Sequence, residues 1–237
     1  MVRFIHVARS YPDCEVLVDV SLCVDTGDAV VISGPAGAGK TTLLRMLFGL
    51  TEPTHGWIVV DDLVLGGSSQ EVLAAHRRRI GFIAQQPLLV ADLTVEQNVA
   101  LALEVCGALP GQAHNAANEA LERAGIAHLR ARPAGVLSAA ERRWVAVARA
   151  LARREASLLI ADEPAADFAP RDARVLGALL AEERAAGKTV IVTSREPAMA
   201  GLGAHRLALL DGGRITLETA APMPNPGRMR SVAGRPA

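Results

Sequence analysis

Gly34-Pro35-Ala36-Gly37-Ala38-Gly39-Lys40-Thr41-Thr42 fits the pattern G-x-x-x-x-G-K-[ST], and the residues on either side supply the context that this pattern requires. Before it, Ala29-Val30-Val31-Ile32 is short, β-branched and turn-bounded, as a buried strand should be. After it, Thr42-Leu43-Leu44-Arg45-Met46-Leu47-Phe48 has helical spacing. Glycines at 34, 37 and 39 let the backbone curl with its N–H groups turned toward a phosphate chain, and the helix N-terminus adds partial positive charge. The whole loop, Pro35, Ala36, Ala38 and Thr42 included, is therefore expected to cradle nucleotide phosphates. Lys40 would reach the β- and γ-phosphates, and Thr41 would offer its hydroxyl to Mg²⁺. A glycine-rich turn that bound nothing would need neither the lysine nor the threonine.

Composition permits this reading and adds limits. At 237 residues, half of them apolar, the chain can bury a sizeable core, as one domain or as a core with a subdomain. Twenty-five basic residues balance twenty-five acidic ones, so the net charge gives no support to nucleic acid or an anionic membrane surface as a partner. Three widely spaced cysteines, Cys14, Cys23 and Cys106, fit reduced thiols in a cytosolic protein better than disulfides or zinc. The segment from Met1 to His6 has no signal-like apolar region, and no run approaches the roughly 18 apolar residues of a membrane span. Work at a membrane would then need a partner to hold the chain there.

Along the chain, Arg3 to Val7 and Val16 to Leu22 alternate like half-buried strands around the turn Ser10-Tyr11-Pro12-Asp13. Tyr11, the single tyrosine, is placed by this reading in a loop, where it would serve equally as an adenine-stacking ring or as a plain surface residue. Gly56 to Leu65 reads as two strands about an acidic turn. Ser69 to Arg79 reads as a helix closed by the cations Arg77-Arg78-Arg79, taken as a solvated helix end. The strand Ile80 to Ala84 then delivers Gln85 and Gln86, and two amides at a strand end are a site hint. Thr94-Val95-Glu96-Gln97 and Ser138-Ala139-Ala140-Glu141 are capping boxes that open helices, and between them Asn115 to Ala124 is a further helix. Arg142 and Arg143 suggest only a solvated first turn.

Ser157 to Ala161 is the most apolar strand, and it ends in Asp162-Glu163-Pro164. One carboxylate there can hold Mg²⁺ while the next positions or deprotonates a water for attack on the γ-phosphate; a polar turn is the plain alternative. A helix beginning near Pro170 ends at Gly187, a strand from Lys188 reaches Ser194-Arg195-Glu196, and a hairpin about Asp211-Gly212-Gly213 follows. The last residues, 219–237, are Pro-, Gly- and Arg-rich without periodicity and are expected to be a disordered tail.

The order of the phosphate loop, Gln85, Leu137-Ser138-Ala139-Ala140-Glu141 and Leu159-Ile160-Ala161-Asp162-Glu163-Pro164 resembles the ATP-binding subunits of ABC transporters, over residues 2 to about 218. The resemblance implies an α/β fold: a P-loop ABC-type nucleotide-binding domain, residues 1–218, with a mixed core sheet, an antiparallel β subdomain and a helical subdomain inserted at about 87–155. It implies ATP and Mg²⁺ as cofactors, Tyr11 on the adenine, Asp162 on the metal with Thr41 and Gln85, and Glu163 as the catalytic carboxylate. Ser138 and Ala140 would close over the nucleotide of a second subunit, in a homodimer or a heterodimer, and an integral permease would hold the pair at the cytoplasmic face of the plasma membrane. Val2 to Val7, and the stretch from Arg79 through Ala100, further resemble the cell-division (FtsE-type) ATPases and their relatives in lipoprotein release and macrolide export.

Three departures bear on mechanism. Where such proteins carry L-S-G-G-[QE], both glycines here are alanines, Ala139 and Ala140, and a Cβ obstructs close backbone approach to phosphate. Their switch histidine aligns with Arg195, which can bond phosphate but cannot relay a proton near neutral pH. Their aspartate in the loop after Pro164 falls on Ala169. Two readings stay open: a motor hydrolysing ATP through Glu163, Gln85 and Arg195, its rate impaired by these changes, or a nucleotide-binding scaffold with little turnover.

Overall fold

A computed structural model of the chain describes residues 1–166, 168–195 and 206–220. Of the tail expected at 219–237, Thr219 and Ala220 instead belong to the last strand, where they pair with Leu207 and Arg206, and 221–237 lie outside the described residues, as does Glu196. The elements are β1 (Val2–Tyr11), β2 (Cys14–Val24), β3 (Ala29–Ser33), α1 (Lys40–Leu47), β4 (His55–Val60), β5 (Leu63–Val64), α2 (Gln70–Arg78) and β6 (Ile80–Ile83). Then come α3 (Val95–Glu104), α4 (Pro110–Arg123), α5 (Ala139–Leu151), β7 (Leu158–Asp162), α6 (Pro170–Ala185), β8 (Thr189–Ser194), β9 (Arg206–Asp211) and β10 (Arg214–Ala220).

Two sheets organise the chain. The larger has six strands in the order β10-β9-β3-β8-β7-β6, parallel throughout except for the β9–β10 hairpin, and is thus mixed. Its central strands are buried on both faces, which explains why they read as near-continuous apolar runs. Alternation still sorts their side chains. Val31, Leu159, Ala161, Val190 and Val192 join the core shared with α3, α4, α5 and α6, while Val30, Ile32, Ile160 and Ile191 join the core shared with α1 and the other sheet.

That other sheet is antiparallel, in the order β2-β1-β4-β5. Asp61 and Asp62, both at positive φ (45° and 67°), make its tight β4–β5 turn, a conformation that aspartate tolerates better than most residues. The helices α3 to α5 are inserted between β6 and β7. Both capping boxes form, each hydroxyl accepting from the third helical N–H and each N3 side chain returning to the cap. Among the described residues no helix is long and apolar enough to cross a membrane.

Two sequence expectations need correction here. The arginine run at the end of α2 is not merely solvated: Arg77 donates from Nε to Phe48 O (3.4 Å) and from Nη2 to Gly49 O (3.0 Å), covering the carbonyl end of α1. The second inserted helix starts at Pro110, five residues before the expected Asn115, because proline occupies its first turn, where a missing N–H costs nothing.

His76, beside that arginine run, is buried and bonds Leu47 O through Nε2 at 2.8 Å. Burial, assisted by the charges of Arg79 and Arg77, pushes its pKa down against the opposing backbone bond. In the unfolded chain the imidazole regains its ordinary value near 6.5 and binds a proton that the native state resists. The stability it contributes is therefore complete above about pH 6.5 and is lost as pH falls below that value toward the depressed native pKa. Thermal melts from pH 7.5 to 5.5 should show a fall in midpoint that His76→Gln, which can still donate to Leu47 O, makes shallower. Parallel profiles would show that His76 does not carry the dependence.

Candidate nucleotide site

The phosphate loop, Gln85, Asp162, Glu163 and Arg195 follow or end β3, β6, β7 and β8, at the carboxyl ends of the parallel strands, where open α/β sheets bind ligands. The phosphate loop leaves β3 at Gly34, whose N–H donates to Ser194 O on β8 (3.2 Å). Its glycines are required by geometry. A Cβ on Gly34 would stand 2.1 Å from Leu210 O, and one on Gly39 would stand 2.6 Å from Leu17 Cδ2 at a φ of 98°. Gly37 takes a φ of 81° with open space where a Cβ would be, as suits a backbone approached by a ligand.

Lys40, 4% exposed, lies over this loop and donates from Nζ to Gly34 O (2.8 Å) and Pro35 O (2.9 Å). Its ammonium is also 3.4 Å from Glu163 Oε1. Lys40, Thr41, Thr42, Gln85, Glu163 and Arg195 line one cavity of about 220 Å³ together with Ala36, Gly37, Gly39 and Val16. Val16 was missed by sequence reading, since a valine in a strand carries no signal of a ligand.

Glu163 is held from several sides. It adopts φ 44°, a left-handed conformation that costs a non-glycine residue about 1–3 kcal/mol and tends to cluster at functional sites. Its N–H donates to Thr193 Oγ1 (3.0 Å), and its carbonyl accepts from Arg143 Nη1 (3.0 Å). Arg143 is only 6% exposed, so the expectation of a solvated first turn fails for it: packing of α5 against the end of β7 buries this guanidinium on the Glu163 backbone. The carboxylate lies 2.7 Å from Arg195 Nε through Oε2, an ion pair without an aligned N–H, so Oε2 is buried with no hydrogen bond. Asp162 precedes it, with Oδ1 accepting from Thr193 Oγ1 at 2.6 Å.

The donor set fits a small hard cation bound with a nucleotide. Thr41 hydroxyl, Gln85 amide and Asp162 carboxylate are all oxygen donors, and Mg²⁺ normally takes one or two such protein ligands beside phosphates and water. Tyr11, Ser138 and Ala140 do not line the cavity, and neither does Asp162, which is buried beside Thr193 at the end of β7. Tyr11 is the last residue of β1 and not a loop residue, and Arg9 lies over its ring at 4.6 Å. Ser138 caps α5, and Ala139 and Ala140 form its exposed first turn.

The profile of the family described as ABC transporter matches residues 17–166, which span the phosphate loop, Gln85, the Ser138 helix and Glu163. The chain belongs to the ABC transporter ATP-binding family. It is 38% identical over 220 residues to the methionine import ATP-binding protein MetN of Rhizobium johnstonii, covering 92% of this chain and 60% of that one. The chain thus spans about three fifths of the length of such relatives. It is 33% identical to the macrolide export ATP-binding/permease protein MacB 1/2 of Paracoccus denitrificans, covering 96% of this chain and 35% of that protein. A solved dimeric ATP-binding cassette in a post-hydrolysis state with ADP and Pi superimposes with a TM-score of 0.88 at 29% identity, covering 94% of this chain and all of that one. The ABC-type fold expected from the sequence is the fold found. Its cell-division resemblance is not what these relatives share, as they are named for import and export.

Proposed function

We propose that the chain binds MgATP in the 220 Å³ cavity and hydrolyses it as the motor subunit of a membrane transporter. The observation that carries this is the convergence of Lys40, Gln85, Glu163 and Arg195 on one cavity at the end of β3. In this reading residues 1–218 are the ATP-binding domain with the helical insertion at about 87–155. The phosphate loop holds the triphosphate, Thr41, Gln85 and Asp162 hold Mg²⁺, Tyr11 takes the adenine, and Glu163 orients the attacking water. The metal supplies charge neutralisation on the phosphates; the water is positioned by the chain. Ser138 and Ala140 serve the nucleotide of a second subunit, identical or homologous.

An integral permease is the membrane partner, holding the subunit at the cytoplasmic face. Leu88 (81% exposed), Val105, Leu109 and Val136 are exposed apolar side chains of the helical insertion, of the kind that an amphipathic helix of that partner would cover. The relatives named above support a transport role; import is favoured by the methionine-import relatives and export by the macrolide relative, while a cell-division role rests on the sequence resemblance alone. A scaffold with little turnover is the second reading, favoured by Ala139 and Ala140 and by the cations on both oxygens of Glu163.

Phosphate release by purified protein, with and without membranes carrying its permease, decides between them. Motor activity should rise with the permease, and Ala139→Gly with Ala140→Gly should raise it several-fold further by admitting closer backbone approach across the dimer. Firm ATP binding with no release in any of these forms would leave the scaffold.

A further inference from the structure

Arg9 and Tyr11 stand two apart in β1, so their side chains share a face of the strand, and the guanidinium carbon of Arg9 lies 4.6 Å from the centroid of the Tyr11 ring. Across the β1–β2 hairpin Tyr11 pairs with Cys14 and Arg9 with Leu17, and a shift of register between them leaves Val16, which walls the phosphate cavity, without a partner in β1. The aromatic end of β1 is therefore next to that cavity. Arg9 is itself held. Its Nη1 donates to Glu52 O (2.9 Å), in the segment that follows α1, and bonds from Thr54 N to Ala8 O (2.8 Å) and from Ser10 N to Thr54 Oγ1 (3.1 Å) tie that segment to the same end of β1. Its Nε is buried with no hydrogen bond. A buried N–H without an acceptor is costly, and the π face under the guanidinium is what offsets it.

One face of the ring is thus taken by a fixed cation, while Tyr11 as a whole stays 39% exposed. Resting on the ATP reading above, in which Tyr11 takes the adenine, we infer that Arg9 sets the strength and selectivity of base binding by acting through Tyr11. It does so in two ways. The guanidinium fixes the plane of the ring, so that a base stacking on the other face meets a platform already ordered and less conformational entropy is lost on binding. Its charge also draws the ring's π electrons toward itself, which leaves the outer face poorer in electrons and a better partner for an electron-rich purine. A pyrimidine offers less area to the same face. Arg9 is a positioning residue, since it touches the ring and not the base. Its contribution falls on the base alone, so ATP and ADP share it and a polyphosphate without a base does not.

Equilibrium binding of ATP, ADP, CTP and inorganic tripolyphosphate, each with Mg²⁺, to the full chain and to Arg9→Gln, Arg9→Lys and Tyr11→Ala tests this. Arg9→Gln should weaken ATP and ADP by the same factor, about three- to ten-fold, the range of one cation–π contact and the stacking it supports. It should also narrow the preference for ATP over CTP and leave tripolyphosphate unchanged, which reports that the variant is folded. Arg9→Lys, which keeps the charge, should lie between Arg9→Gln and the wild type. In a Tyr11→Ala background Arg9→Gln should have no further effect, because the ring through which it acts is gone. Loss of tripolyphosphate and nucleotide affinity by one factor in Arg9→Gln would overturn the inference, showing that Arg9 only supports the fold, as would an equal loss with and without the Tyr11 ring. Unchanged ATP affinity in Tyr11→Ala would remove the base from Tyr11 and overturn it too, leaving the phosphate site intact. Wild-type protein that bound neither ATP nor tripolyphosphate would overturn the ATP reading itself.

Discussion

Lys40→Ala should lose at least a hundred-fold in affinity for MgATP while remaining folded. The ammonium lies where the loop carbonyls of Gly34 and Pro35 and the carboxylate of Glu163 meet, at 2.8, 2.9 and 3.4 Å. A bound triphosphate would replace some of these contacts with charge-assisted bonds to two phosphates, and such bonds contribute about 1.5–3 kcal/mol each. Alanine removes all of them at once. Folding should survive, because the groups left behind face a cavity large enough to admit water and Arg195 still faces Glu163. Binding of a fluorescent ATP analogue, followed beside a thermal melt, measures both halves. Undiminished binding would mean that the nucleotide does not sit in this loop.

What the sequence disclosed and what it withheld divide along a physical line. The phosphate loop, Gln85, Asp162 and Glu163 were legible because each is a polar or glycine-rich interruption at the end of an apolar strand, where local pattern and site chemistry coincide. The helix starts at Thr94 and Ser138 were legible for a similar reason: a capping box is complete within four residues. Arg143 and Arg77 were misread because a charged residue near a helix end is solvated unless something distant packs over it, and here the end of β7 and the end of α1 do so. Arg195 was read as a poor substitute for a histidine. Its pairing with Glu163, 32 positions earlier in the chain, depends on β7 and β8 lying side by side in the sheet.

Tyr11 shows how local sequence can mislead even about a backbone. The Pro12-Asp13 turn is two residues long, so β1 extends through Tyr11 and the ring belongs to a strand end, with Arg9 stacked on it. An adenine would then complete a layered stack of base, ring and guanidinium, each pair worth on the order of 1 kcal/mol. Val16, two residues into the facing strand from Cys14, lies nearer the phosphate loop and forms the cavity wall.

Glu163→Gln should lower the rate of ATP hydrolysis by a hundred-fold or more, and by the same factor in the Ala139→Gly, Ala140→Gly background. The carboxylate is the only acidic side chain lining the phosphate cavity among the described residues. A positioned general base typically contributes 10²–10⁴-fold, and a glutamine amide cannot take the proton from water. The substitution is nearly isosteric, so Thr193 and Arg143 should continue to hold the backbone at its left-handed φ. ATP affinity should be kept or strengthened, because one negative charge facing the γ-phosphate is removed while Lys40 and Arg195 remain. This combination of retained binding with lost turnover separates a base from a structural residue, since a collapse of the site would lose both. A wild-type rate near 1 s⁻¹ that Glu163→Gln left untouched would place the base elsewhere. A wild-type rate already as low as that of Glu163→Gln would instead favour a subunit that works by binding ATP alone.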